Sequence, residues 1–243
     1  DNFREVLDNP YFTKQLVNTI SIFLISSVPQ VLIALVVAAL LDNQLRARTA
    51  WRLSVLLPFV MAPVAVALIF SNMFGDNHGL VNNILTSIGL EAIPWHKDPF
   101  WSHIAIATMV NFRWTGYNTL IFLAALQSIP HELYEAAEVD GASKVSQFFN
   151  ITIPQIRPTI FFALITSTIG GLQIFAEPYQ FGGGYAGGTD GQFSTLTLYM
   201  FNQAFTQMKL GYSSAVAIGL FVIIAVIAAI NYLISSKLVK ADK

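Results

Sequence analysis

Five stretches of this chain, residues 16–41, 53–74, 101–127, 158–176 and 211–235, are apolar over about the length that a lipid bilayer demands. A helix needs about 20 mostly apolar residues to cross roughly 30 Å of hydrocarbon, where every backbone amide and carbonyl must be satisfied within protein. Runs of this length satisfy it as helices. The chain is 54% hydrophobic and only 11% charged, against roughly 25% charged residues in a soluble domain. The expected fold is therefore all-α: a polytopic helical membrane protein, residues 1–243 forming one transmembrane domain with five spans. The fourth stretch, bounded by Pro158 and Pro178, is the shortest.

Orientation follows from Lys and Arg near the span ends, which accumulate on the cytoplasmic side. Arg46, Arg48 and Arg52 lie in the first loop, Lys144 and Arg157 in the third, and Lys237, Lys240 and Lys243 in the tail, whereas the other side has only Arg4, Lys14, Lys97 and Lys209. Residues 1–15, 75–100 and 177–210 are thus expected outside. An odd number of spans then leaves the N-terminus outside, and "DNFREVLDNPYF" has neither a basic n-region nor an apolar core. A sixth, N-terminal span is expected ahead of it.

Several functions are excluded by what the residues lack. A net charge of −1 offers no basic field for nucleic acid, and with no cysteine there is no thiolate metal or disulfide chemistry. His78, His96, His103 and His131 show no i, i+4 pairing that would suggest a metal site. No glycine is followed by lysine, so there is no phosphate-binding G-x-x-x-x-G-K-[ST] loop, and "GGGYAGGTDG" reads as a flexible outer turn. Neither a G-x-S-x-G motif nor a pair of acids within the spans is present.

Polar groups inside a span are costly unless they face a cavity or another helix. The third span carries "NFRWTGYN", which places Trp114, Tyr117 and Asn118 on one helical face, with Asn111 a turn away. Aromatic faces and amides suit a sugar ring and its hydroxyls; the same residues also serve as interfacial aromatics and interhelical hydrogen bonds. The fourth span offers Thr166, Ile169, Gly170 and Gln173 at i, i+3, i+4 and i+7, with Gly171 alongside, either a ligand face or close helix packing. Arg113 is the one clear charge deep in a span and should face the bundle interior, a wet cavity or an ion-pair partner on another subunit.

The segment "EAAEVDGASKVSQFFNITIPQIRPT" interrupts this apolar pattern. Pro130 and "HELYEAAEVD" favour a short helix with Leu133, Ala136 and Ala137 on one side, and Gly141 ends it by permitting φ > 0. A second short helix should follow over "ASKVSQFFNI", stopped by Pro154 and Pro158. The product is a stiff elbow at the cytoplasmic surface, residues 131–157, with Glu135 and Glu138 flanking two small residues.

Residues Glu135, Ala136, Ala137, Asp140, Gly141, Ala142, Phe148, Ile151 and Pro154 closely resemble the EAA motif of permeases from binding-protein-dependent ABC importers. "LDNPYFTKQLVNT", "LLPFVMAPVAVALIF", "FLAALQSIPHELYEAAEVDGAS" and "LGYSSAVAIGLF" are similar to the sugar-importing, maltose-type branch. The resemblance implies a type I importer permease fold and residence in a prokaryotic inner membrane. It also implies that the elbow docks in a cytoplasmic ATPase, with ATP and Mg bound by that partner and no cofactor on this chain. The implied assembly holds a second homologous permease, two ATPase copies and an extracytoplasmic solute-binding protein. In such relatives the third and fourth spans line the sugar site, which favours Tyr117, Asn118, Gly170 and Gln173. Polyols and glycerol phosphates are alternative substrates. A self-sufficient secondary transporter would need acidic or His relays within spans, and a membrane enzyme a catalytic constellation; the sequence shows neither.

Overall fold

The computed structural model describes residues 2–42 and 48–240. Of the basic residues used for orientation, Arg46 and Lys243 lie outside the described residues, as do the side chains of Arg48, Lys237 and Lys240. The first apolar stretch belongs to a 33-residue helix, α2 (Pro10–Asp42), preceded by the short α1 (Asn2–Asp8). The second stretch is not one straight span. It forms α3 (Arg48–Val60) and α4 (Pro63–Met73), which turn by 90° at the break. Proline at 63 disfavours helical geometry at the preceding residue, and Ala62 takes the extended φ −58°, ψ 133°.

The third stretch is α6 (Pro99–Leu126), started by the Asp98 carboxylate, which accepts hydrogen bonds from the Phe100 and Trp101 amides. It follows a small outer helix, α5 (Leu80–Ser87). By length and composition, α2, Lys144–Gly171 and Leu210–Ile234 can cross a membrane, and the bent α3–α4 pair makes a fourth. At 28 residues α6 is long enough too, and its polar run from Asn111 to Asn118 explains its lower hydropathy. It is accordingly the central helix, packed along α2 and also touching α3 and α4.

The elbow contains α7 (His131–Val139) and α8 (Lys144–Gln147). Contrary to expectation, Pro154 and Pro158 do not stop the second short helix. A π-helical turn over Phe148–Thr152 carries it into α9 (Ile153–Gly171), where Pro154 occupies the first turn and Pro158 lies inside. Proline lacks only an N–H that a first turn leaves unbonded anyway, and the wider π turn lets the chain pass. The fourth span thus begins earlier than 158 and ends at Gly171, short of the expected 176.

After it come α10 (Ala176–Phe181) and α11 (Leu196–Phe201), a second π-helical turn (Asn202–Thr206), and α12 (Leu210–Lys240). α9 packs on α2, α6 and α12, while α10 packs on α4 and α6. Both outer segments are more built than the sequence suggested. Asn82 holds residues 75–98 together: its Nδ2 donates to the Asp76 and Ile93 carbonyls, and its Oδ1 accepts from Ile93 N and Trp95 Nε1. Trp95 is consequently buried. The Gly-rich loop is closed by Gln192, whose Oε1 accepts from Asp190 N and whose Nε2 donates to the His96 carbonyl. Phe193 is buried beneath it, its ring tilted against Phe181 at 5.2 Å.

Candidate functional site

The elbow is shaped by one residue. Gly141 adopts φ 78°, where a side chain would be strained, and the chain reverses as Ala142 N donates to Ala137 O at 2.8 Å. Ser143 then caps α8 by accepting from Ser146 N. Lys144 donates to the Glu138 carboxylate across the bend, and this hydrogen bond, with the lysine's charge, holds the Glu138 carboxyl below its ordinary range. Tyr134 Oη and Thr152 Oγ1 meet at 2.8 Å, which fixes α7 against the root of α9.

Four apolar residues of the elbow, by contrast, find little cover, whereas Tyr134, Ile151 and Ile156 pack into the bundle. No residue of α7 is buried, and Val139 and Phe149 are 89% and 64% exposed, with Leu133 and Val145 also exposed. Glu135, Ala136, Asp140 and Gly141 lie open, while Ala137, Ala142, Phe148 and Pro154 are half-buried. A rigid bend thus displays a small-residue face rimmed by carboxylates and loose apolar side chains.

The residues expected to form a ligand face on α6 and α9 divide into two groups. Gly170 lies against Trp114: a methyl group there would stand 3.4 Å from the indole. Trp114 meets Tyr117 edge-on at 5.8 Å, and Phe59 at the end of α3 stacks on Tyr117 at 4.8 Å. Asn118 is buried and donates from Nδ2 to Ser167 Oγ at 3.0 Å, an interhelical bond, while its Oδ1 is buried with no partner. Ile169 and Gln173 instead turn toward α12, lining a cavity of about 550 Å³ with Thr197, Met200, Leu220 and Phe221. Thr166 bonds back to the Phe162 and Ala163 carbonyls of its own helix. Gly171 packs on α2, with Ser27 and Phe23 where its side chain would be.

Sequence reasoning missed two glycine- and charge-dependent features. A Cβ on Gly116 would lie 1.9 Å from the Val55 carbonyl oxygen, so α3 crosses α6 backbone to backbone beside the aromatic group. Arg113 pairs within its own chain rather than with another subunit: Nη1 lies 3.0 Å from Glu177 Oε1, with side-chain exposures of 11% and 4%. Glu177 sits on α10, in a segment that reads as an outer loop, and the ion pair fastens α10 to the polar section of α6. A lone buried cation was the available signal, because it requires an anion within reach. Asn111 Oδ1 and Arg113 Nε are buried without partners among the described residues.

Comparison with known proteins gives this architecture its relatives. The family of binding-protein-dependent transport system inner membrane components matches residues 11–240. The lactose transport system permease protein LacF of Rhizobium radiobacter is 39% identical over 236 residues, 96% of this chain and 78% of its own length. The sulfoquinovosyl glycerol transport system permease protein SmoG of Agrobacterium fabrum is 35% identical, covering 95% of this chain and 74% of its own. An arabinooligosaccharides transport system permease protein, AraP of Halalkalibacterium halodurans, is 32% identical over 100% of this chain and 76% of its own. Among solved structures, a bacterial alginate ABC transporter, in complex with an alginate pentasaccharide-bound periplasmic protein, superposes with a TM-score of 0.84 at 25% identity, covering 99% of this chain and 83% of that one. With a matching sequence profile over nearly its whole length and a bundle of the same architecture, the chain belongs to the family of inner membrane components of binding-protein-dependent transport systems.

Proposed function

We infer that this chain is the permease of an ABC importer that carries a sugar, an oligosaccharide or a sugar conjugate, inward across a prokaryotic inner membrane. Relatives named for lactose, sulfoquinovosyl glycerol and arabinooligosaccharides support the substrate class. The observation that carries the mechanism is the elbow at Gly141, a rigid bend that leaves Leu133, Ala136, Val139, Val145 and Phe149 exposed. Such a surface suits a cleft in a second protein. Residues 131–157 dock there on a cytoplasmic ATPase, which binds ATP and Mg, and movement of the ATPases is passed through α9 into the bundle. A second permease and an extracytoplasmic binding protein complete the assembly, and this chain performs no covalent chemistry.

The test is purification of the complex from its native membrane, followed by reconstitution with its binding protein. A co-purifying ATPase and ATP-dependent uptake of labelled lactose or arabinooligosaccharide are expected. Uptake driven by an ion gradient without ATP would overturn the importer reading. Uptake of amino acids but of no carbohydrate would overturn the substrate class.

A further inference from the structure

A second concave site, of about 920 Å³, opens on the face that the charge distribution places outside. It lies where the start of α2, the Gly-rich loop and the π-helical turn after α11 converge, and shares no residue with the elbow or with the α6 and α9 faces. Tyr11, Lys14 and Gln15 come from α2, Tyr185 from the loop, and Asn202 and Gln203 from the π turn. Its size falls near the top of the range of about 300–1,000 Å³ usual for ligand sites, which gives room for more than one sugar ring.

The chemistry of the walls is narrower than their number suggests. Amides and phenols dominate, the lining holds one cation, Lys14, and one acid, Asp190, and Lys14 Nζ donates to the Asp190 backbone carbonyl. The lining therefore carries no net formal charge to draw an anionic ligand. Tyr185 is held by its neighbours, with Tyr179 edge-on at 4.9 Å and Phe201 at 6.4 Å, so its ring is fixed before anything binds. Gln15 is buried to 3% exposure, with Oε1 accepting from Asn18 and Nε2 directed toward Gly191 at the cavity wall. The π turn places two consecutive amide side chains, Asn202 and Gln203, on the same cavity, and such turns recur at functional sites.

We propose that this cavity is an extracytoplasmic carbohydrate site on the permease itself, which takes a neutral saccharide on Tyr185 and Tyr11 and bonds its hydroxyls through Gln15, Asn202 and Gln203. It would receive sugar outside the membrane before the bundle does. The inference rests on the carbohydrate reading above, and the experiment separates the two.

The complete permease–ATPase complex is placed in lipid nanodiscs without binding protein and titrated with lactose and with arabinooligosaccharide, followed by saturation-transfer difference NMR. Saccharide signal is expected, weakened about 3- to 10-fold in Tyr185→Ala and in Gln203→Ala, as loss of one ring or one hydrogen bond predicts. Ile88→Ala, on an exposed side chain outside the cavity lining, should leave it intact. Uptake by the full system without any signal in the absence of binding protein overturns this site and leaves the carbohydrate reading standing. Equal signal in both cavity variants overturns it as well. So does loss of binding-protein docking in those variants with undiminished saccharide signal, which would make the cavity a protein contact. Absence of carbohydrate uptake altogether removes the reading on which the site depends.

Discussion

Replacing Glu177 with Leu removes the only carboxylate among the described residues that Arg113 contacts, and the structure sets the scale of the damage. The Nη1–Oε1 distance is 3.0 Å, the two side chains are 11% and 4% exposed, and Arg113 Nε already lacks a partner. Breaking a buried pair from one side costs about 3–5 kcal/mol, because the remaining charge is left without compensation, whereas removing both partners is often nearly neutral. Glu177→Leu and Arg113→Met should therefore each destabilise the permease by about 3–5 kcal/mol, and the double variant by no more than about 1 kcal/mol. The coupling in that cycle is far larger than the few tenths of a kcal/mol by which independent sites deviate from additivity. Unfolding of the detergent-solubilised protein by graded SDS, followed by tryptophan fluorescence, measures all three. Single variants that lose less than about 1 kcal/mol, or a double variant equal to their sum, would refute the view that α10 is fastened to α6 by charge.

Hydropathy made the spans legible because lipid imposes a length and an apolar composition that any helix must meet on its own. What it could not show is how helices bend and meet. The run 53–74 is apolar throughout, so only the restriction that Pro63 places on Ala62 betrays the 90° break between α3 and α4. The two prolines at 154 and 158 are conspicuous in the sequence, yet a π-helical turn just before them absorbs the disturbance and the helix continues. Gly141 was readable because its role is local: a turn forces its φ. Gly116 was not, because its reason is the Val55 carbonyl, which arrives from another helix. The aromatic group on α6 was legible as residues, but Phe59, which stacks on Tyr117, is brought in by the same non-local crossing. Arg113 advertised a missing anion, and Glu177 escaped notice because it follows the fourth span, where apolar character has ended.

Three further outcomes are expected. Gly116→Ala inserts a methyl carbon 1.9 Å from the Val55 oxygen, where ordinary C···O contact begins at about 3.3 Å, so α3 must retreat by more than an ångström; a loss of about 1–3 kcal/mol in the same unfolding assay is expected, and an unchanged midpoint would show that the crossing is slack. Tyr117→Ala and Gln173→Ala should each lower sugar uptake at sub-saturating substrate several-fold, as loss of one sugar contact of about 0.5–1.5 kcal/mol implies, with basal ATPase and complex yield retained; undiminished uptake in the double variant would assign both faces to packing alone. Gly141→Leu forces a side chain into φ 78°, where nothing lies within 4 Å to clash, so the strain is in the backbone and is relieved only if the bend between α7 and α8 opens. Because α9 packs on α2, α6 and α12 independently of the bend, the subunit should still insert and assemble with its membrane partner while binding-protein-stimulated ATP hydrolysis and uptake fall together. Wild-type stimulation in this variant would mean that the angle of the elbow does not carry the coupling.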